Sequence, residues 1–211
     1  MTHPISHLAR GAAALALALA AASPALAQGT TGSGMRAGGW GSDGYSLLPF
    51  TRSGYAGINL GKPDWRPDCT AGFDCDDADV AVYVYTGGLI NEVLGLELGY
   101  VHTGNAHRNG GALRAQGVNL SLVARVPLGA FNVFAKAGGL YGQTKVSADP
   151  AAGIATGTER GWGAAYAAGV GYDFTPQMGM VLEWARREFR FPGGSGRQDV
   201  DSLSLGFVRR F

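Results

Sequence analysis

The sequence closes with Ser202–Phe211, SLSLGFVRRF, in which Leu203, Leu205, Phe207 and Phe211 all share one parity. Successive side chains of an extended chain point to opposite sides, so this stretch reads as a β-strand that is greased on one face only.

The amino-terminal end supplies the setting for such a strand. Residues Met1–Ala27 carry His3, His7 and Arg10, then an apolar run from Gly11 to Ala22, then Pro24 and the small-x-small ending Ala25, Leu26, Ala27. A bilayer span needs roughly 20 apolar residues and this core is shorter, so residues 1–27 are read as a cleaved export signal. The mature chain is expected to begin at Gln28. No other stretch approaches a helical span, and a mature chain that crosses a membrane must then do so as a closed sheet, where every backbone polar group is paired.

Composition narrows the partners. Of 17 Lys and Arg, only Arg10 lies in the signal, which leaves 16 basic against 16 acidic residues and a formal charge of zero. Nothing in this balance calls for nucleic acid. Near-neutral hydropathy with 35 glycines suits a sheet whose lipid-facing and inward-facing residues alternate and average out. Cys69 and Cys75 both survive cleavage, and an even count in an oxidising compartment favours a disulfide between them.

Eight alternating segments follow, joined by long and short connections in turn. The first is Gly54–Gly61, and a long connection from Lys62 to about Asp77 leads to the second, about Ala78–Thr86. A tight turn near Leu89–Glu92 precedes Val93–Thr103, and a second long connection, Gly104–Gly111, leads to Arg114–Val126. Pro127–Gly129 form a short turn before Ala130–Lys145, and a polar connection reaches Arg160. In the sixth segment Trp162, Ala164, Tyr166, Ala168, Val170 and Tyr172 face one side, and Gly163, Ala165, Ala167, Gly169 and Gly171 face a crowded interior. Thr175–Met178 turn into Gly179–Phe191, and Pro192–Arg197 connect to Asp199–Phe211.

The expected architecture is all-β, an eight-stranded antiparallel up-and-down transmembrane barrel over residues 53–211, preceded by a Gly/Ser-rich periplasmic arm, 28–52. An even strand count puts both termini in the periplasm, the short turns beside them and the long connections outside the cell. Tyr100, Trp162, Tyr172, Phe174 and Phe207 are placed for interfacial girdles. A soluble barrel of the lipocalin type would instead carry charge on its outer face and leave a terminal phenylalanine without purpose.

The segments GYAGINLG, LGLELGY, GVNLSLVARVPLG, FNVFAKAGGLYG, GVGYDFTP, VLEW and SLGFVRRF, taken in order, resemble the OmpA-like transmembrane barrel family over Gly54–Phe211. The resemblance implies a bacterial outer-membrane location and a structural or surface-interaction role. It covers the barrel alone. No peptidoglycan-binding domain is expected after Phe211, so a cell-wall tether is not carried over.

On strand parity Glu97, Arg125, Lys136, Glu183 and Arg187 point inward. Eight strands leave just enough interior for side chains, so these charges are expected to pair as a polar plug. The alternative, which the resemblance implies, is a gate whose pairs exchange partners to open a narrow pore. Arg186, Glu188 and Arg190 then face outward, either at the level of the lipopolysaccharide headgroups or displaced by a parity-changing bulge. Arg209, on the Phe211 face, is close enough to the boundary to snorkel.

The first long connection carries Asp64, Asp68, Asp74, Asp76, Asp77 and Asp79, at spacings that do not match an EF-hand loop. No metal site and no cofactor is expected. Some small outer-membrane barrels modify lipid A, but the two mature histidines are His102 and His107, and His102 is followed by Thr103 and Gly104 rather than by a His-x-Ser arrangement. No catalytic residue is assigned. The expected partners are outer-membrane lipid and lipopolysaccharide, the barrel-assembly machinery that reads Phe207 and Phe211, and an extracellular ligand held by the loops. The barrel is expected to be a monomer.

Overall fold

The computed structural model describes residues 46–65, 75–76, 78, 80–108, 110–153, 155–193 and 196–211. The export signal, most of the arm and Cys69 lie outside the described residues, and so does the pairing expected between Cys69 and Cys75.

The strands are β1 (Ser53–Trp65), β2 (Cys75–Asp76), β3 (Ala81–Leu89), β4 (Leu94–Arg108), β5 (Gly111–Leu128), β6 (Phe131–Val146), β7 (Gly157–Asp173), β8 (Met178–Arg190) and β9 (Arg197–Arg210). The two-residue β2 only borders the top of β4; the other eight form a closed antiparallel ring, each pairing with the next, with β1 paired to β9 and β4 to β5. Closure removes every sheet edge, which is the condition for strands to lie in lipid.

Most strands run further than the alternation suggested, and the largest departure is at the second connection. Residues 104–111, rich in Gly and Asn, read as a loop; instead β4 continues to Arg108 and β5 begins at Gly111, so the connection is a tight turn at the tip of an extended hairpin. A bulge makes this possible. The ladder skips between His102 and Asn105, Gly104 sits at φ +72°, and the Thr103 hydroxyl donates to Ala115 O at 2.8 Å and accepts from Ala115 N–H at 3.1 Å. The extra residue flips the parity, so Ala106 is buried where the unbroken pattern would have turned it outward. β8, where a bulge was the alternative, pairs with β9 without interruption from Met178 to Arg190.

Burial alternates strictly over residues 113–126 of β5, along the whole of β8 and over residues 200–210 of β9. The outward set is apolar: Val118, Leu120, Leu122 and Val126 on β5, Met180, Leu182 and Trp184 on β8, Leu203, Leu205 and Phe207 on β9 are all exposed. Water would not tolerate so continuous a band, whereas hydrocarbon requires it. Aromatic side chains flank the band. Phe131 packs on Tyr172 (5.0 Å between ring centroids) and Phe174 on Phe207 (6.0 Å) at the end with the short turns, and Tyr141 packs on Trp162 (5.2 Å) toward the long connections. Along β7 the interval from Trp162 to Tyr172 spans roughly 33 Å of strand, or about 25 Å along the axis at a tilt of ~40°, which matches the height of an outer-membrane apolar band.

The interior is filled by interleaving large rings with glycines. Tyr85 lies over Gly57, Tyr55 over Gly87 and Tyr83 over Gly99, and at each glycine a Cβ would collide with the ring. Replacing Gly99 with alanine is therefore expected to destabilise the barrel by about 1–3 kcal/mol, read as a lower urea midpoint for unfolding from lipid vesicles.

Candidate functional site

The buried charges meet in two layers. In the middle of the barrel Lys136, from β6, reaches across to two carboxylates: its Nζ stands 2.7 Å from Glu97 Oε1 on β4 and 2.7 Å from Glu183 Oε2 on β8. Arg187, two inward positions further up β8, lies 3.7 Å from Glu183 Oε1 and donates to Ser202 Oγ at 3.2 Å. The tyrosine rings that fill the glycine spaces bring their hydroxyls to the same point. Tyr83 donates to Glu97 Oε1 at 2.9 Å and Tyr55 to Glu97 Oε2 at 3.0 Å. Lys136 also sits 4.7 Å from the Tyr85 ring centroid, and the Arg187 guanidinium 4.7 Å from that of Tyr83. Two acids and two bases are thus balanced in a space that excludes bulk water, and both Glu97 and Glu183 are 1% exposed.

The second layer lies near the short turns. Asp173, at the end of β7, accepts from Arg125 Nη2 at 3.0 Å and from Arg210 Nη2 at 2.5 Å, with the Asn132 amide 3.5 Å away. Arg125 was expected inside; Asp173 and Arg210 were not singled out. Parity carried the signal for both, since Asp173 continues the small inward face of β7 and Arg210 follows Gly206 and Val208 on the inward face of β9.

Between and beside these layers the lumen narrows to small chambers. One of about 50 Å³ is walled by Tyr55, Tyr85, Glu97, Arg125, Lys136 and Arg210. Another of about 10 Å³, bordered by Tyr83, Asn119, Lys136, Glu183 and Arg187, is close to the space of a single water. Lys136 is part of both walls. Toward the long connections the interior turns apolar: Phe189, Leu140 and Val101 are fully buried, and Trp65 meets Phe191 edge-on at 6.2 Å. The lumen is therefore interrupted by a salt-bridged layer and by a hydrophobic cap above it.

A closed eight-stranded ring with an apolar outer band and a charged, plugged interior is the architecture of a small outer-membrane barrel. The sequence agrees, since residues 12–211 match the model of the outer membrane protein beta-barrel domain. The chain belongs to this outer-membrane barrel family. No curated relative matches it in sequence. The same fold is found in Neisserial surface protein A (TM-score 0.57, 11% identity, 75% of this chain and 97% of that one). It also recurs in Ail, the attachment invasion locus protein of Yersinia pestis (TM-score 0.50, 16% identity, 75% and 98%). The N-terminal β-barrel domain of Pseudomonas aeruginosa OprF is a third case (TM-score 0.50, 12% identity, 74% and 97%). At these identities the likeness is one of fold.

Within this family frame the outward charges of β8 are accounted for locally. Arg186 makes a two-point contact with Asp201 on β9, Nε to Oδ1 at 2.8 Å and Nη2 to Oδ2 at 3.0 Å, and stacks near Trp184 at 5.4 Å. Glu188 accepts the Ala164 amide at 3.1 Å. Arg190 faces Arg197 across the ladder, and Arg197 Nε donates to Trp162 O at 3.2 Å. Arg209 is half-buried; Phe207 faces outward, and the Phe211 amide donates to Gly54 O at 3.0 Å, fastening the end of the chain to β1.

The histidine weighed for catalysis has a structural partner: His102 Nδ1 accepts from Gly104 N–H at 3.1 Å and so braces the bulge. His107 lies at the hairpin tip, opposite Asp76 of β2. Of the acidic first connection only Asp64 and Asp76 lie within the described residues, and among the described residues no cluster of three or more potential metal ligands forms.

Proposed function

We propose that this barrel is a non-enzymatic, monomeric component of the bacterial outer membrane that acts through its surfaces, supporting the envelope and presenting its long connections outside the cell, with both termini periplasmic. One observation carries the reading: the lumen is blocked twice, by the Glu97–Lys136–Glu183 layer and by the Phe189 cap, while the outer face is continuous and apolar. A molecule built this way offers its neighbours its outside. The exposed Arg190 and Arg197, a like-charged pair directly opposite one another beside Trp162, suit contact with anionic lipopolysaccharide headgroups. The outward apolar face that includes Phe207, together with Phe211, supports recognition by the barrel-assembly machinery.

Two measurements test this together. The refolded mature protein is expected to be silent in planar bilayers, and protease added to intact cells is expected to cut only within residues 66–80, 147–156 and 191–196. Steady conductance would favour the narrow-pore alternative. Cuts at 129–130 or 174–177 in intact cells would invert the orientation. Release of fatty acid from lipid A, lost on His102→Ala, would restore the enzymatic reading.

A further inference from the structure

Residues 46–52 form a hook at the foot of the barrel. Its polar atoms are turned on one another: the Thr51 hydroxyl donates to Leu48 O at 2.7 Å and lies 2.5 Å from Ser46 Oγ, which accepts from Leu48 N–H at 3.3 Å. The hook is fastened by Arg52 N–H to Leu89 O at 2.8 Å. It rests on the outward side of Gly88, where a Cβ would collide with Ser46 and Thr51, and Gly88 shares a rung with outward Leu96. The hook therefore occupies a place on the lipid-facing surface that a side chain of β3 would otherwise fill.

While its two hydroxyls are satisfied internally, its apolar side chains are thrown outward. Leu47 is 63% exposed and Phe50 is 89% exposed. Phe50 also has φ +66°, and it is the one non-glycine residue with positive φ among the described residues. A bulky residue in the left-handed region costs free energy that glycine or asparagine would spare, so the phenyl ring must return something in that position. Exposed Ile90, Val93 and Leu94 continue the same apolar edge around the foot of β3 and β4.

We infer that this hook is a lipid-interface anchor: Leu47 and Phe50 insert among the acyl chains and headgroups at the short-turn end and hold residues 46–52 against the rim of the barrel. The occupant is the lipid surface, because the hook lies on the belt itself and extends it. The inference rests on the barrel lying in lipid, which a separate position reports.

The test places benzoyl-phenylalanine at position 50 of the mature protein, refolded in phosphatidylethanolamine/phosphatidylglycerol vesicles and irradiated, with the same probe at Leu60 in the belt and at Ala151 in a long connection. A lipid adduct from positions 50 and 60 and none from 151 is expected. An adduct from Leu60 without one from Phe50, or a Phe50 adduct to a second copy of the chain, would overturn the anchor while leaving the barrel in the membrane. No adduct from Leu60 would overturn the membrane placement itself. A second variant separates anchoring from backbone strain. Phe50→Gly relieves the left-handed conformation, so a purely structural turn would be cut by trypsin at Arg52 at the same rate or more slowly. An anchored turn in nanodiscs of the same lipids is expected to be cut about tenfold faster.

Discussion

Replacing Lys136 with methionine is expected to lower the stability of the lipid-inserted barrel by about 3–5 kcal/mol, the largest effect of any single lumen substitution. Methionine fills nearly the same volume, so packing changes little. What changes is that the ammonium 2.7 Å from both Glu97 and Glu183 disappears. Glu97 keeps the Tyr55 and Tyr83 hydroxyls, and Glu183 keeps only the more distant Arg187 at 3.7 Å. Two carboxylates are then left in a dry interior with half their compensation, and a buried unpaired charge is far costlier than the lost pair was worth. Urea unfolding from vesicles, followed by the shift between compact and heat-denatured forms on a gel, measures the change. Adding Glu97→Gln to Lys136→Met should recover part of the loss, because the tyrosines can donate to an amide oxygen as well. A Lys136→Met barrel of unchanged stability would mean that the layer is spatially close but energetically idle.

The second large effect is expected on the outer face and depends on height. An arginine at Leu122, which is 59% exposed and lies midway along the apolar outer row of β5, should cost about 2–4 kcal/mol in a bilayer. The same substitution at Leu128, 58% exposed beside the turn and directly opposite Phe131, should cost about 0–1 kcal/mol, since the guanidinium can reach the headgroups. The two positions are almost equally exposed, so accessibility alone predicts equal effects and only immersion in hydrocarbon separates them. Equal costs in vesicle unfolding would argue against the belt.

The inward charges were legible because side-chain direction in a strand has a period of two, and that period survives in one dimension. Glu97, Arg125, Lys136, Glu183 and Arg187 are all buried, as their parity implied. The tip of the β4–β5 hairpin was not legible for the same reason in reverse. One inserted residue at Gly104 breaks the period, and beyond it the sequence looks aperiodic although the ladder continues from Asn105–Arg114 to Arg108–Gly111. The apolar residues Leu47, Leu48 and Phe50 are legible as an arm able to pack at the barrel base, but the turn they form is not, because its logic lies in satisfied hydroxyls and one unusual φ, neither of which leaves a repeating trace.

The amino-acid sequence by itself determined the class of fold, the face each strand turns to lipid, and which charges enter the interior. Each of these follows from local alternation and from the demand that a membrane-crossing backbone pair all its polar groups. Only the tertiary structure decided which charges meet. Lys136 joins Glu97 and Glu183 from strands that are each separated from its own by one intervening strand, and Asp173 gathers Arg125 and Arg210 from two further strands. Parity says that a side chain points inward, but not at what height. That height is set by the stagger accumulated around the ring when the sheet closes on itself, a property of the whole barrel and of no single strand.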